Sequence, residues 1–195
     1  MTAILPVPTR AWAIAGAALA GFALVVNIPY SALIALFDYD DVLRRPAGEV
    51  LAAFRAGGTP LVLAWWGFAL SALGFAAAAG LIGEAFRNGR PAIPRWITAL
   101  GVASGLVQAA ALFRWTFVVP HLAAAYETAA PGSTAQTIAM ANYEALNAYA
   151  GAGLGEHMGQ ILLAVWTAGV ALSLRRLGGA TGWIAFAGLV TLPLW

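Results

Sequence analysis

The sequence predicts an all-α fold: a polytopic bundle of transmembrane helices with four full spans and a partial fifth, residues 1–195 forming a single integral membrane domain. Three observations predict it. First, 62% of the 195 residues are hydrophobic, only 9% are charged, and the mean hydropathy is +0.81. A soluble domain carries about 25% charged residues, so this chain lacks the polar atoms to cover a water-facing surface. Second, the apolar residues come in runs long enough to cross a hydrocarbon core, which takes about 20 helical residues. Third, the arginines cluster near the ends of those runs.

The first run, from about Ala11 to Phe37, is too long for a signal peptide and has no convincing cleavage site, so it reads as a retained span. Asn27 and Pro29 interrupt it, and Pro29 should kink the helix and free a carbonyl. Between Pro46 and Ala56, Val50, Leu51 and Phe54 share one helical face, which predicts a short interfacial helix. The second span runs from about Thr59 to Ala85. The third starts at Pro94, a favourable first helical position, and reaches about Pro120. After a turn-like Ala-Pro-Gly-Ser-Thr, Ser133 or Thr134 should cap a further helix. The fourth span runs from about Gly153 to Leu174, and the fifth begins near Thr181 and stops at Trp195. Only about twelve residues, or roughly 18 Å of helix, follow Trp183. The chain is therefore expected to be a truncated form of a longer protein.

Charge sets the orientation. Lysine is absent, and all ten basic residues are arginine. Arg10, Arg87, Arg90, Arg95, Arg175 and Arg176 fall on one side of the predicted membrane. Arg44, Arg45 and Arg55 fall on the other, diluted by Asp38, Asp40, Asp41 and Glu49. The positive-inside rule makes the first side cytoplasmic, with the N-terminus inside. Trp12, Trp96 and Trp183 lie just within that face, and Trp65, Trp66 and Trp115 near the other, as an aromatic belt requires. The net charge of +2 is not gathered into a basic stripe, so no nucleic-acid partner is expected. The absence of cysteine excludes disulfides, thiolate metal sites and Cys-ligated clusters.

Helical rise points to a site. Nineteen residues separate Arg95 from Arg114, and nineteen separate Glu156 from Arg175. Each interval covers roughly 28 Å, close to the thickness of the hydrocarbon core. If Arg95 and Arg175 mark the cytoplasmic face, Arg114 and Glu156 reach one depth near the outer face, where opposite charges can meet beside His157. Arg114, Glu156 and His157 are therefore the candidate ligand-binding residues. Asn27, Tyr30, Trp65, Trp66 and Trp115 count to the same layer, Gln160 lies one turn below Glu156, and His121 is read as a loop residue.

No metal, cofactor or catalytic residue is expected. Glu156 and His157 point about 100° apart on a helix and do not form a His-Glu-x-x-His pair. Ser31, Ser71, Ser104 and Ser173 read as packing serines, and Asp38, Asp40 and Asp41 as a solvated helix end rather than a calcium loop. The near-fingerprint Gly-Ala-Gly-Leu-Gly-Glu from Gly151 lacks strand–turn–helix context. Its glycines, Gly151, Gly155 and Gly159, instead form a small-residue ladder, and Gly101 and Gly105 a shorter one, that would let helices approach closely.

The chain resembles a family of bacterial multi-pass membrane proteins known as a domain of unknown function. The resemblance rests on Arg45-Pro46 with Glu49-Val50-Leu51 and Phe54, on Leu61-Val62-Leu63-Ala64-Trp65, on Arg114-Trp115 with Val118-Val119-Pro120, and on Gly155-Glu156-His157 followed by Gly159 and Trp166-Thr167. It implies a six-helix bundle in a bacterial inner membrane and no particular activity. Two functional expectations follow from the residues. One is an outward-facing polar pocket between spans three and four, in which Arg114 holds a lipid headgroup, a quinone or a small anion and Glu156 and His157 orient it or exchange a proton. The other is a structural or assembly subunit that meets a membrane protein partner through its glycine-rich helix faces. A membrane enzyme acting on lipid ranks last, for want of a nucleophile.

Overall fold

The computed structural model describes residues 9–87 and 92–176. The predicted fifth span from Thr181 to Trp195, with Trp183, and also Arg90, lie outside the described residues. The described chain is helical and contains no strand, as the sequence predicts. Its elements are α1 (Thr9–Val25), α2 (Asn27–Phe37), a 3-10 turn (Asp41–Arg44), α3 (Ala47–Arg87), α4 (Arg95–Leu112), α5 (Arg114–Phe117), α6 (Val119–Thr128), α7 (Thr134–Leu146), a π-helical segment (Asn147–Gly159) and α8 (Gln160–Arg175). Four continuous stretches are long and apolar enough to cross a membrane: Arg10–Phe37, Ala47–Arg87, Arg95–Thr128 and Thr134–Arg175.

Two compact units form. The first holds the described residues up to Ala23, Leu73–Leu106, and those from Met158 onward. Phe75, Ala79, Ile82 and Phe86 follow helical spacing on α3 and bury one face with Ala15, Ile97 and Trp166. Helices α4 and α8 approach through two glycines. A Cβ on Gly101 would lie 2.4 Å from Trp166 Cδ1, and one on Gly169 would lie 2.6 Å from Ile97 Cδ1. The buried Ser104 hydroxyl donates to Gly159 O at 2.8 Å. In lipid, apolar burial does not drive helices together, so such close packing and hydrogen bonding carry the association. Gly101→Ala should therefore cost about 1–3 kcal/mol through overpacking against a rigid indole. Thermal unfolding in detergent checks this, and an unchanged midpoint would show that the α4–α8 contact is slack.

The second unit, Leu24–Ala72 and Val107–His157, contains the helix breaks. The expected kink in the first span occurs at Val26, where α1 gives way to α2. Pro29 supplies no N–H to Val25 O, which ends the regular ladder there. Helix α3 is broken at Gly58, whose φ of 55° and ψ of −150° lie outside the range of residues with a Cβ. The predicted short helix at Pro46–Ala56 exists as the part of α3 before this break, and its apolar face is turned to protein. Val50, Leu51 and Phe54 are buried in the core of the unit, with Leu33, Phe37, Leu61, Trp65, Trp115, Val119 and Tyr143. The third span continues past its expected end. Phe113 and Val118 interrupt it, and Pro120 falls in the first turn of α6, where a missing N–H costs little. His121 is accordingly an exposed helical residue and not a loop residue.

Two caps follow the sequence. The Ser133 hydroxyl accepts from Gln136 N at 3.2 Å and starts α7. Asp38 ends α2 in the left-handed region, its carboxylate pairs with Arg45, and Arg44 pairs with Asp41 at 2.6 Å. Asp38 and Asp41 thus form an arginine-paired, solvated helix end, and the exposed Asp40 accepts from the Tyr30 hydroxyl instead.

Candidate functional site

Arg114 opens α5 directly after the break at Phe113. The break turns its side chain into the core of the second unit, where the residue is only 8% exposed. Arg114 Nη1 donates to Ala111 O at 2.7 Å, and Nη2 donates to Asn147 Oδ1 at 3.2 Å. Its Nε–H is buried and has no acceptor. The guanidinium carbon lies 5.2 Å from the centre of the Trp115 ring, within cation–π range.

The π-helical segment provides the wall against this guanidinium. A Cβ on Gly151 would stand 2.7 Å from Arg114 Nη2 and 2.8 Å from Asn147 Oδ1, so glycine leaves the room in which the two groups meet. Gly155 packs similarly, with its Cβ position 3.2 Å from Ala111 Cβ. In a π-helix the backbone bonds close from residue i to i+5, which brings Glu156 nearer to the face of Gly151 than an α-helix would.

Glu156 and His157 are nevertheless both exposed. Arg114 and Glu156 form no ion pair: the pairs among the described residues are Arg44–Asp41, Arg45–Asp38, Arg55–Glu127 and Arg87–Glu84. Glu156 acts on Arg114 only through space. The meeting of charges expected from equal depth is thus replaced by a carbonyl and an amide, because depth fixes height but not direction. His157 Nδ1 lies 2.8 Å from Ala152 O. A carbonyl can only accept, so Nδ1 donates here.

The Trp115 ring beneath the guanidinium belongs to an aromatic cluster. Trp65 and Trp115, each 0% exposed, stack with centroids 4.6 Å apart and planes 7° apart. Tyr143 stands edge-on to Trp115 at 6.0 Å, and Tyr39 edge-on to Trp65 at 5.2 Å. The Tyr143 hydroxyl and both indole N–H groups are buried with no partner. Burial holds the Tyr39 phenol protonated well above the usual tyrosine range; the charge of Asp40 adds to this and that of Arg114 opposes it.

Of the expected layer, Trp65 and Trp115 join Arg114. Tyr30 instead donates to Asp40 at 3.4 Å, and Trp66 packs edge-on against Phe113 and Phe117. Tyr39, Tyr143 and Asn147 belong to the cluster and are not among the residues read from the sequence. The four-residue spacing of Tyr143, Asn147 and Gly151 is the signal that could have found the last two.

Among the described residues no group of three His, Asp or Glu side chains could hold a metal ion. A separate cavity of about 280 Å³ in the first unit, walled by Trp12, Phe86, Trp166 and Leu174 among others, is almost wholly apolar, with Thr167 in its lining.

No curated protein and no solved structure matches this chain. The family model described as a domain of unknown function (DUF4386) matches residues 14–195, a region that includes Arg114, the aromatic cluster around it and the π-helical segment. With a match that covers nearly the whole chain, and with four apolar helical stretches of membrane-spanning length among the described residues, the protein is a member of the DUF4386 family.

Proposed function

We propose that this protein is a ligand-binding integral membrane protein of a bacterial inner membrane, with its N-terminus cytoplasmic and its binding site in the second unit around Arg114. The arginine distribution supports the orientation and puts Arg114 near the outer face. One observation carries the functional reading: Arg114 is buried at 8% exposure without a carboxylate partner. A buried charge left uncompensated is costly, and a protein that keeps one within its membrane spans keeps it for a purpose. The setting agrees. Non-helical backbone at membrane depth is tolerated where it lines a cavity or is buried in protein, and the breaks at Val26, Gly58, Phe113 and Val118 all fall in this unit. Glu156 and His157, exposed on the π-helical segment itself, would orient what enters.

The ligand is a lipid headgroup, a quinone or a small anion. In purified protein, at least one of three probes, phosphatidylglycerol, decylubiquinone or inorganic phosphate, should raise the unfolding temperature of the wild type and not of Arg114→Gln. If none does, the reading fails.

A second reading has one observation of its own. The most apolar stretch of the first span is only 6% buried, and Gly16 and Gly21 face open space. That helix would suit a membrane protein partner in a structural or assembly complex. Native mass spectrometry showing one stoichiometric partner would favour this reading, and a monomer would count against it.

A further inference from the structure

Around Arg114, donors outnumber acceptors. Arginine brings five N–H donors and no acceptor. Ala111 O and Asn147 Oδ1 engage its two terminal nitrogens, and Nε–H is left with nothing. The Tyr143 hydroxyl, on a residue 4% exposed, donates to nothing, and neither do the indole N–H groups of Trp65 and Trp115. These groups belong to one connected cluster: the guanidinium lies 5.2 Å from the Trp115 ring centre, and Tyr143 lies 6.0 Å from the same ring.

Charge narrows the choice of partner. Both neutralising contacts to Arg114 are uncharged, and Glu156 lies outside ion-pair distance on an exposed position. A water molecule or a quinone carbonyl would satisfy an N–H or O–H donor but leave the positive charge uncompensated. An oxyanion does both. It accepts several hydrogen bonds, offers no donor to clash with those present, and suits the planar fork of arginine.

We infer that the ligand of this site is an oxyanion, a phosphate or a carboxylate, held by Arg114 with the Tyr143 hydroxyl as a second donor. This rests on the reading that Arg114 faces a ligand. The same chemistry arrives either as an anionic lipid headgroup or as a free anion.

The test uses the full chain in neutral detergent with four probes: phosphatidylglycerol in mixed micelles, inorganic phosphate, decanoate and decylubiquinone. At least one of the three anions should bind. Arg114→Gln should weaken that binding about tenfold to a hundredfold, and Tyr143→Phe about threefold to tenfold, as expected for a charged and a neutral hydrogen bond. Binding of phosphatidylglycerol without phosphate or decanoate identifies a headgroup as the source, and binding of phosphate or decanoate identifies a free anion. Arg114-dependent binding of decylubiquinone, with none of the anions, overturns the oxyanion and leaves Arg114 as a ligand residue. Failure of every probe overturns both. Should Arg114→Gln fail to fold, Tyr143→Phe removes a single hydroxyl and decides the matter: unchanged anion affinity in that variant overturns the inference.

Discussion

Trp115→Ala is expected to be among the most damaging single substitutions in the second unit, costing about 3–5 kcal/mol. The residue is fully buried, and its ring touches four others. It stacks on Trp65 at 4.6 Å and on Phe54 at 5.7 Å, and it meets Phe37 and Tyr143 edge-on. These contacts join α2, both parts of α3, α5 and α7, so the cavity left by alanine cannot close by moving one helix. Trp66→Ala removes a ring of the same size from a half-buried position whose ring contacts among the described residues are Phe113 and Phe117, and it should cost clearly less. Reversible unfolding of both variants in mixed micelles gives the comparison. Equal losses would mean that the ring cluster does not organise the unit.

Arg114→Met should act in the opposite direction on stability. Methionine fills similar volume without a charge to desolvate, and exchanging buried charges for apolar side chains is often neutral or stabilising by about 1–4 kcal/mol. The ligand-free variant should therefore unfold at the same temperature as the wild type or higher, while its stabilisation by anions disappears. That pattern, stability kept and response lost, marks a residue retained for binding. A drop of several kcal/mol in the ligand-free protein would instead assign Arg114 to the scaffold, through its bonds to Ala111 and Asn147.

Much of the fold was legible in the sequence because the membrane imposes a simple rule. Apolar runs of span length must be helical, and the runs near Ala11, Thr59, Pro94 and Gly153 each fall within one of the membrane-length helical stretches. Local chemistry was legible too: Ser133 caps, Pro29 breaks the first span, and the aspartates close a solvated end. What escaped was direction. Counting residues placed Arg114 and Glu156 at equal height, but the break at Phe113 and the π-helical winding after Leu146 decide where each side chain turns. Neither has a clear sequence signature. Pro120 looked like the end of a helix and lies in the first turn of the next. Val50, Leu51 and Phe54 made an amphipathic face as read, but periodicity does not distinguish a face turned to lipid from one turned to protein, and here protein covers it. Tyr143 has no sequence signature because an aromatic residue in an apolar chain is ordinary until its hydroxyl is found buried without a partner.

The parallel indole pair gives the protein an optical gauge of its own. Two strong transition dipoles held 4.6 Å apart must couple, so Trp65 and Trp115 should absorb as a pair rather than as two separate indoles. Because Arg114 lies over one of those rings, anything that displaces the guanidinium changes the local field on a chromophore already in place. The lack of native cysteine adds a second channel: one introduced thiol can be labelled alone, and the two signals read together.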